Sequence, residues 1–318
     1  MKNSGQPFKI LITGASGFIG KHMLRKIFNT SNIIACVDLF YDEDFFKEYG
    51  KRVQVFSGNM LDKSFITSCI KSFSPDYVFH LAGSKKRTNS LPEFKISNEI
   101  NYLGTLNLFE ALLEVQNLKL VTLLGTIEEY GSTNPPFRED SLELPGSAYG
   151  LSKLTVTKLG LIFNHQFNLP VVILRPSIAY GPDQGEEMFI PALIKSLLRN
   201  KPFQMTEGNQ LRDFIYIDDL INAMIKSITC TGLEGQIINI AAGTSVRLRD
   251  IALQIAVITN SIDNLKIGEV PYRNSEIMNY AVDITKATKL LHWHPETTLT
   301  DGLERTISFC RKKILNEA

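Results

Sequence analysis

Short apolar runs alternate along the first half of the chain with longer segments whose apolar positions recur at helical spacing. Phe8–Thr13, Asn32–Asp38, Arg52–Phe56, Asp76–Ala82, Lys119–Leu124 and Leu169–Ile173 read as strands. Phe18–Asn29, Asp62–Phe73, Ser97–Val115 and Ala148–Phe167 read as helices. The strands are rich in Val, Ile and Leu without in–out alternation, which predicts a parallel sheet covered by helices on both faces. After about Pro182 the pattern is mixed. Helices are predicted at Ile190–Arg199, Asp219–Ser227, Leu248–Thr259 and Thr300–Lys313, and strands at Phe214–Ile217, Gln236–Ile240 and Leu265–Val270. Asn134–Pro136, Gly181–Gly185 and Thr206–Gly208 read as loops, and no internal repeat is visible.

A chain of 318 residues suits a large α/β domain with a smaller region attached. The expected division is 1–181 for the first region, with about 212–242 returning to it, and 182–318 for the second. A net charge of +1 gives no long-range field for nucleic acid or anionic membrane, so neither is an expected partner. No stretch is long enough to span a bilayer, and the polar start at Met1–Lys9 does not resemble a secretory signal. A cytoplasmic protein is expected. Cys36, Cys69, Cys230 and Cys310 lack metal-like spacing and read as buried free thiols. His292 and His294 flank Trp293 without a nearby carboxylate, so no metal site is expected.

The sharpest local signal is Ile10–Gly20, where Gly14, Gly17 and Gly20 fall between a strand and a helix. The first glycine permits a tight turn, the second lets main-chain N–H groups approach a pyrophosphate, and the third lets helix and strand pack closely. The helix N-terminus then faces the anion with unpaired donors. Asp38 ends the second strand, where a carboxylate accepts hydrogen bonds from ribose hydroxyls and repels a 2′-phosphate, which favours NAD over NADP.

Tyr149 and Lys153 lie four apart on a predicted helix, so both side chains share one face. A neighbouring ammonium stabilises a phenolate and draws the phenol toward base chemistry near neutrality. Thr126 follows the strand Lys119–Leu124 at the edge where α/β sheets bind ligands.

Together these residues resemble the extended short-chain dehydrogenase/reductase family, in its NAD-dependent nucleotide-sugar epimerase and dehydratase branch. The resemblance covers nearly the whole chain. It includes the glycine triplet, His80-Leu-Ala-Gly83, Asn101-Tyr-Leu-Gly-Thr105, Tyr130-Gly131 and Tyr149/Lys153. It continues through Arg175-Pro176, Tyr180-Gly-Pro182, Arg212–Asp219 and a late Arg273. It implies a Rossmann-type doubly wound parallel sheet with a smaller mixed α/β C-terminal substrate-binding region. Gly14, Gly17, Phe18, Ile19, Gly20, Asp38, Asn59, Met60, Leu81, Ala82, Gly83, Tyr149 and Lys153 would hold NAD. Tyr149 would be the general base, Lys153 would tune it and bind ribose, and Thr126 would hold the reacting hydroxyl. Arg212 and Arg273 would clamp the diphosphate of a nucleotide-sugar. Ser97–Val115 and Ala148–Phe167 would pair with a second copy in a four-helix homodimer interface.

Three departures qualify this. Asn59 stands where the family usually has Asp against adenine, and its amide oxygen can still accept a hydrogen bond. Ile178 replaces an Asn that touches the sugar-nucleotide. The loop Gly83–Thr88 is unusually basic, fitting either an anionic ligand or a solvated loop. Glu128 marks the reaction. Two residues after Thr126, a carboxylate can remove a proton next to a ketone, as in dehydratases and decarboxylases, or it can be a solvated loop residue. The preceding Ile127 stands where common dehydratases carry Asp. The expected activity is oxidation at sugar C4 to a 4-keto intermediate, followed by epimerisation or dehydration. The alternatives are an NAD(P)H-dependent 4-ketosugar reductase and a non-catalytic dinucleotide sensor.

Overall fold

The computed structural model describes residues 7–30, 32–40, 42–86, 89–273 and 276–317. Thus Met1–Gln6, and Arg87 and Thr88 of the basic loop, lie outside the described residues. The first region runs β1 (Lys9–Thr13), α1 (Phe18–Phe28), β2 (Ile33–Asp38), α2 (Glu43–Lys47), β3 (Val53–Ser57), α3 (Lys63–Phe73) and β4 (Tyr77–His80). It continues with α4 (Leu91–Asn98), α5 (Gly104–Leu112), β5 (Leu120–Leu124), α6 (Ala148–Phe167) and β6 (Val171–Pro176). Then come β7 (Ile178–Tyr180), α7 (Phe189–Leu198), β8 (Phe203–Met205), β9 (Leu211–Tyr216), α8 (Ile217–Ser227) and β10 (Ile237–Ile240). The chain closes with β11 (Ser245–Arg247), α9 (Leu248–Ile258), β12 (Leu265–Ile267), α10 (Thr285–Leu291) and α11 (Leu299–Glu317).

Seven strands form one parallel sheet in the order β3-β2-β1-β4-β5-β6-β10. This is the Rossmann-type sheet expected; of the stretch 212–242, β10 joins it, whereas β9 pairs in a separate sheet. Alternate strand residues enter two separate cores. Ile10, Ile12, Val172 and Leu174 pack on one face, and Leu11, Val171 and Ile173 on the other. Burial on both faces is why these strands read as unbroken apolar runs. The order turns back between β1 and β4, and ligands of such sheets bind beyond the strand C-termini at that point.

The remaining strands form a mixed sheet β11-β9-β7 and a parallel pair β12-β8. The short strands β7, β8 and β11 and the short helices α2 and α10 escape the sequence reading. At three to seven residues each, they carry too few positions to show a period. Ile217, placed at a strand end by the sequence, begins α8 instead.

The predicted helix Ser97–Val115 is a correction. Helical structure starts earlier, at Leu91, and is interrupted by a π-turn at Glu99–Leu103. Pro92 at the helix start marks the true beginning, since proline is tolerated in a first turn. The π-turn presents Asn101, buried, to Ser84 and Ser152. Such turns recur at functional sites. Cys36 and Cys69 are buried as expected, whereas Cys230 and Cys310 are half-buried. Among the described residues no helix is long and apolar enough to cross a membrane.

Candidate active site

The glycine turn is built as its residue types require. Gly14 has φ +72°, and a Cβ there would lie 2.7 Å from the Ala82 main-chain nitrogen. A Cβ on Gly20 would lie 2.2 Å from the Gly14 oxygen. Gly17 caps α1 without any side-chain hydrogen bond, and the first turn holds no acidic residue. The first-turn donors, including those of Phe18 and Ile19, therefore meet an incoming anion without a competing carboxylate. This arrangement fits the pyrophosphate of a dinucleotide.

Asp38 sits against the same turn. Its carboxylate accepts from Ser16 N at 2.8 Å and Phe40 N at 3.3 Å, which fixes its orientation beside the glycine loop. Asn59 is exposed, and its amide oxygen accepts from Leu61 N at 3.0 Å. That oxygen is thus already engaged, and only its second lone pair remains for a ligand. Met60 is half-buried, and its carbonyl accepts from Asn107 at 2.9 Å.

Leu81, Ala82 and Gly83 leave β4 in a chain held from below. Thr13 Oγ1 accepts from the amides of Leu81 and Ala82, each at 3.2 Å. Thr13 also bonds His80 Nδ1 at 2.7 Å, and His80 Nε2 meets Thr105 at 2.9 Å. The family motifs around His80 and Asn101 are visible in sequence, but their supporting function is visible only here. Burial pushes the His80 imidazole from its ordinary 6.5 down to about 3, with the Lys153 charge acting the same way. An unfolded chain takes up that proton at about 6.5, whereas the folded chain refuses it until about 3. Stability should therefore fall as the pH drops through that window, by up to about 1.4 kcal/mol per pH unit. Urea midpoints from pH 7 to pH 4 test this. His80→Asn should show a flatter pH dependence than the wild type, and equal slopes would refute the assignment.

The second cluster lies at the end of β5. Thr126 is buried and caps a short 3₁₀ turn, Ile127–Glu129. Its hydroxyl accepts from Glu128 N at 3.3 Å, which leaves its proton to donate. Ser147 caps α6, so the helix starts where the sequence reading put it. Tyr149, half-buried, and Lys153 follow one turn apart on its first stretch. Lys153 Nζ, buried, donates to Leu124 O at 2.6 Å and lies 3.9 Å from where a Cβ on Gly83 would sit. Burial lowers its ammonium to about 8, against the pull of Glu129.

Beyond Thr126 opens a cavity of about 570 Å³, lined among others by Glu128, Ser147, Ile178, Arg212 and Arg273. The structure therefore gathers Thr126, Glu128 and both arginines around one space; Tyr149 is not in its lining. Ile178, at the position where many members of the family it resembles carry Asn, presents an apolar wall. Arg212 is not a bare cation: it pairs with Glu276 and lies over the Tyr280 ring at 4.6 Å. Burial lowers its pKa, opposed by Glu276. Arg273 is exposed. Asn89 joins the cavity wall unannounced by the sequence. It accepts from Ala148 N at 3.1 Å and donates to Gly146 O at 3.2 Å, tying its loop to the start of α6.

A glycine turn beside a threonine, a tyrosine–lysine pair and a cavity lined by Arg212 and Arg273 together with Glu128 and Glu276 is the arrangement expected of a Rossmann-type oxidoreductase. Residues 10–241 match the sequence profile of the NAD dependent epimerase/dehydratase family, and the chain belongs to that family. It is 29% identical to the UDP-N-acetyl-alpha-D-glucosaminuronate decarboxylase of Bacillus cytotoxicus, over 96% of this chain and 98% of the relative. It is 27% identical to the dTDP-glucose 4,6-dehydratase of Haemophilus influenzae, over 94% and 97% of the two chains. The crystal structure of UDP-glucuronic acid 4-epimerase from Bacillus cereus, in complex with UDP-glucuronic acid and NAD, superposes with a TM-score of 0.88. The two are 29% identical, over 96% of this chain and 99% of that one.

Proposed function

We propose that this chain is an NAD-dependent nucleotide-sugar epimerase or dehydratase that oxidises its sugar at C4 to a 4-keto intermediate. One observation carries the reading. The Thr126 hydroxyl shares a cavity wall with Arg212 and Arg273, while Lys153 reaches beneath the same strand end. NAD, held by the glycine turn, Asp38, Asn59–Met60, Leu81–Gly83 and Lys153, supplies the hydride acceptor and returns the hydride later. Tyr149 takes the proton of the C4 hydroxyl, with the Lys153 ammonium favouring the phenolate. Thr126 donates to the reacting oxygen. Arg212 and Arg273 hold the diphosphate, for which Arg212 exchanges its Glu276 partner.

Glu128 then decides the outcome. Its carboxylate lines the cavity two residues past Thr126, where it removes the proton made acidic by the neighbouring ketone. The similarity to a decarboxylase and a dehydratase supports such a step. An epimerase needs none, because the ketone only turns and is reduced on its other face. In this reading residues 182–318 carry most of the substrate contacts, and the enzyme works in the cytoplasm as a homodimer. Exposed Leu91, Leu103, Leu151, Ile162 and Phe167 on α4, the π-turn and α6 support the second copy's place.

The test is incubation with UDP-, GDP-, CDP- and dTDP-sugars, without added cofactor, followed by mass analysis. Loss of water identifies a dehydratase, and an isomer of unchanged mass an epimerase. Turnover only with NAD(P)H and a 4-keto sugar would establish the reductase reading instead. Glu128→Gln sharpens the answer. In a dehydratase it should slow product formation by about 10²- to 10³-fold while the 4-keto sugar and reduced cofactor accumulate. In an epimerase the same change should leave the rate within about a factor of three.

A further inference from the structure

We propose that Glu129 is a positioning residue for this reaction: braced by Arg175, it holds Thr126 in register from beneath the site and supplies the negative charge that Lys153 senses. The inference rests on the reading of Thr126, Tyr149 and Lys153 as the reacting set. Glu129 and Arg175 are both fully buried. Glu129 Oε1 accepts from Thr126 N at 2.8 Å, and Oε2 meets Arg175 Nη2 at 2.6 Å and Nε at 2.8 Å. Arg175 Nη2 continues to Glu143 Oε1 at 2.8 Å, and Glu143 to Lys158 at 2.8 Å. One side chain thus anchors the main chain of the residue proposed to grip the substrate. It ties that residue to β6 and, through Glu143 and Lys158, back to the helix bearing Tyr149.

The surroundings are shaped for this side chain. A Cβ on Gly125 would sit 2.5 Å from Glu129 Oε1 and 3.2 Å from Arg175 Cγ, so only glycine leaves the carboxylate its place. Stability alone does not account for the pair, since a buried ion pair is commonly exchangeable for neutral groups at little net cost. Glu129 also bears on Lys153. Burial drives that ammonium toward its neutral form, and Glu129 is the carboxylate that opposes this. His80, which the Lys153 charge helps to keep unprotonated, is neutral at working pH, and Tyr149 lies on the same helix face as Lys153.

The decisive variant is Glu129→Gln combined with Arg175→Met, which removes both charges and keeps an amide oxygen for Thr126. It should unfold near the wild-type midpoint and bind NAD normally. Its kcat, on the nucleotide-sugar the wild type turns over, should fall about tenfold or more with KM little changed. Independently of substrate, the Lys153 13Cε resonance, assigned with Lys153→Met, should titrate at least about half a unit lower than in the wild type. Gly125→Ala is the second variant, because it displaces the carboxylate without removing charge and should also lower kcat about tenfold. Either variant, folded and with wild-type kcat, overturns the inference, as does an unshifted Lys153 midpoint in the double variant. If Tyr149→Phe is inactive in that case, only the positioning role fails. If Tyr149→Phe is active, the underlying reading fails instead.

Discussion

Replacing Tyr149 by Phe should lower turnover by about 10²- to 10⁴-fold and leave NAD affinity nearly unchanged, the range that loss of a positioned general base produces. The substitution removes one oxygen and keeps the ring, so the packing at the start of α6 persists. Lys153 keeps its hydrogen bond to Leu124 O, and with it the geometry for the cofactor ribose. The glycine turn lies on separate elements, β1 and α1, and does not sense the change. On the proposed mechanism the phenol is the group on that helix face that takes the C4 hydroxyl proton, with Lys153 entering as a cation, so its loss leaves the step without a base. The measurement pairs steady-state rates with NAD released on denaturation. A variant with full NAD content and normal turnover would remove Tyr149 from the mechanism and leave Glu128 as the next base to test.

The other large effect is expected at Gly20. Gly20→Ala places a methyl 2.2 Å from the Gly14 oxygen and 2.6 Å from Ala15 Cα, both in main chain that cannot rotate away. Relief requires the start of α1 to move off the turn. That movement costs about 1–3 kcal/mol of stability, as overpacking in a tight core does. It also carries the first-turn donors away from the pyrophosphate, and NAD affinity should drop about ten- to a hundredfold, as about 1.4–2.8 kcal/mol implies. Calorimetric titration with NAD and denaturant unfolding measure the two together. Gly17→Ala is the control, since a Cβ there meets only the Gly14 oxygen, at 3.2 Å, and should cost less stability. Equal loss of stability from both variants would mean that helix–strand packing is not the role of the third glycine.

The sheet was legible because buried parallel strands must be apolar on both faces, and the long amphipathic segments around them carry enough turns to show a period. The cofactor turn was legible for a related reason. Gly14 and Gly20 answer local steric demands, and local demands leave their mark at fixed spacing. The second half was less readable. Its short strands pair with partners far away in sequence, β7 with β9 and β8 with β12, and their burial depends on those partners rather than on a repeating pattern. The π-turn at Glu99–Leu103 was invisible for the same reason, because one extra residue in a helix leaves no compositional trace.

The sequence by itself determined that a glycine turn, a threonine and a tyrosine–lysine pair follow one another in the order on which the proposed hydroxyl oxidation rests. Only the tertiary structure decided what lies beneath and around them. It buried His80 and made it a neutral strut, gave Arg212 a carboxylate partner in Glu276, and set Ile178 and Asn89 into the cavity wall. It also turned Glu129, to which the sequence reading gave no role, inward onto Arg175, while Glu128 faced the cavity. The physical reason is that charge and hydrogen-bonding environment depend on distance in space. Glu129 meets Arg175 across 46 residues of chain and Arg212 meets Glu276 across 64, separations at which sequence spacing carries no geometric information.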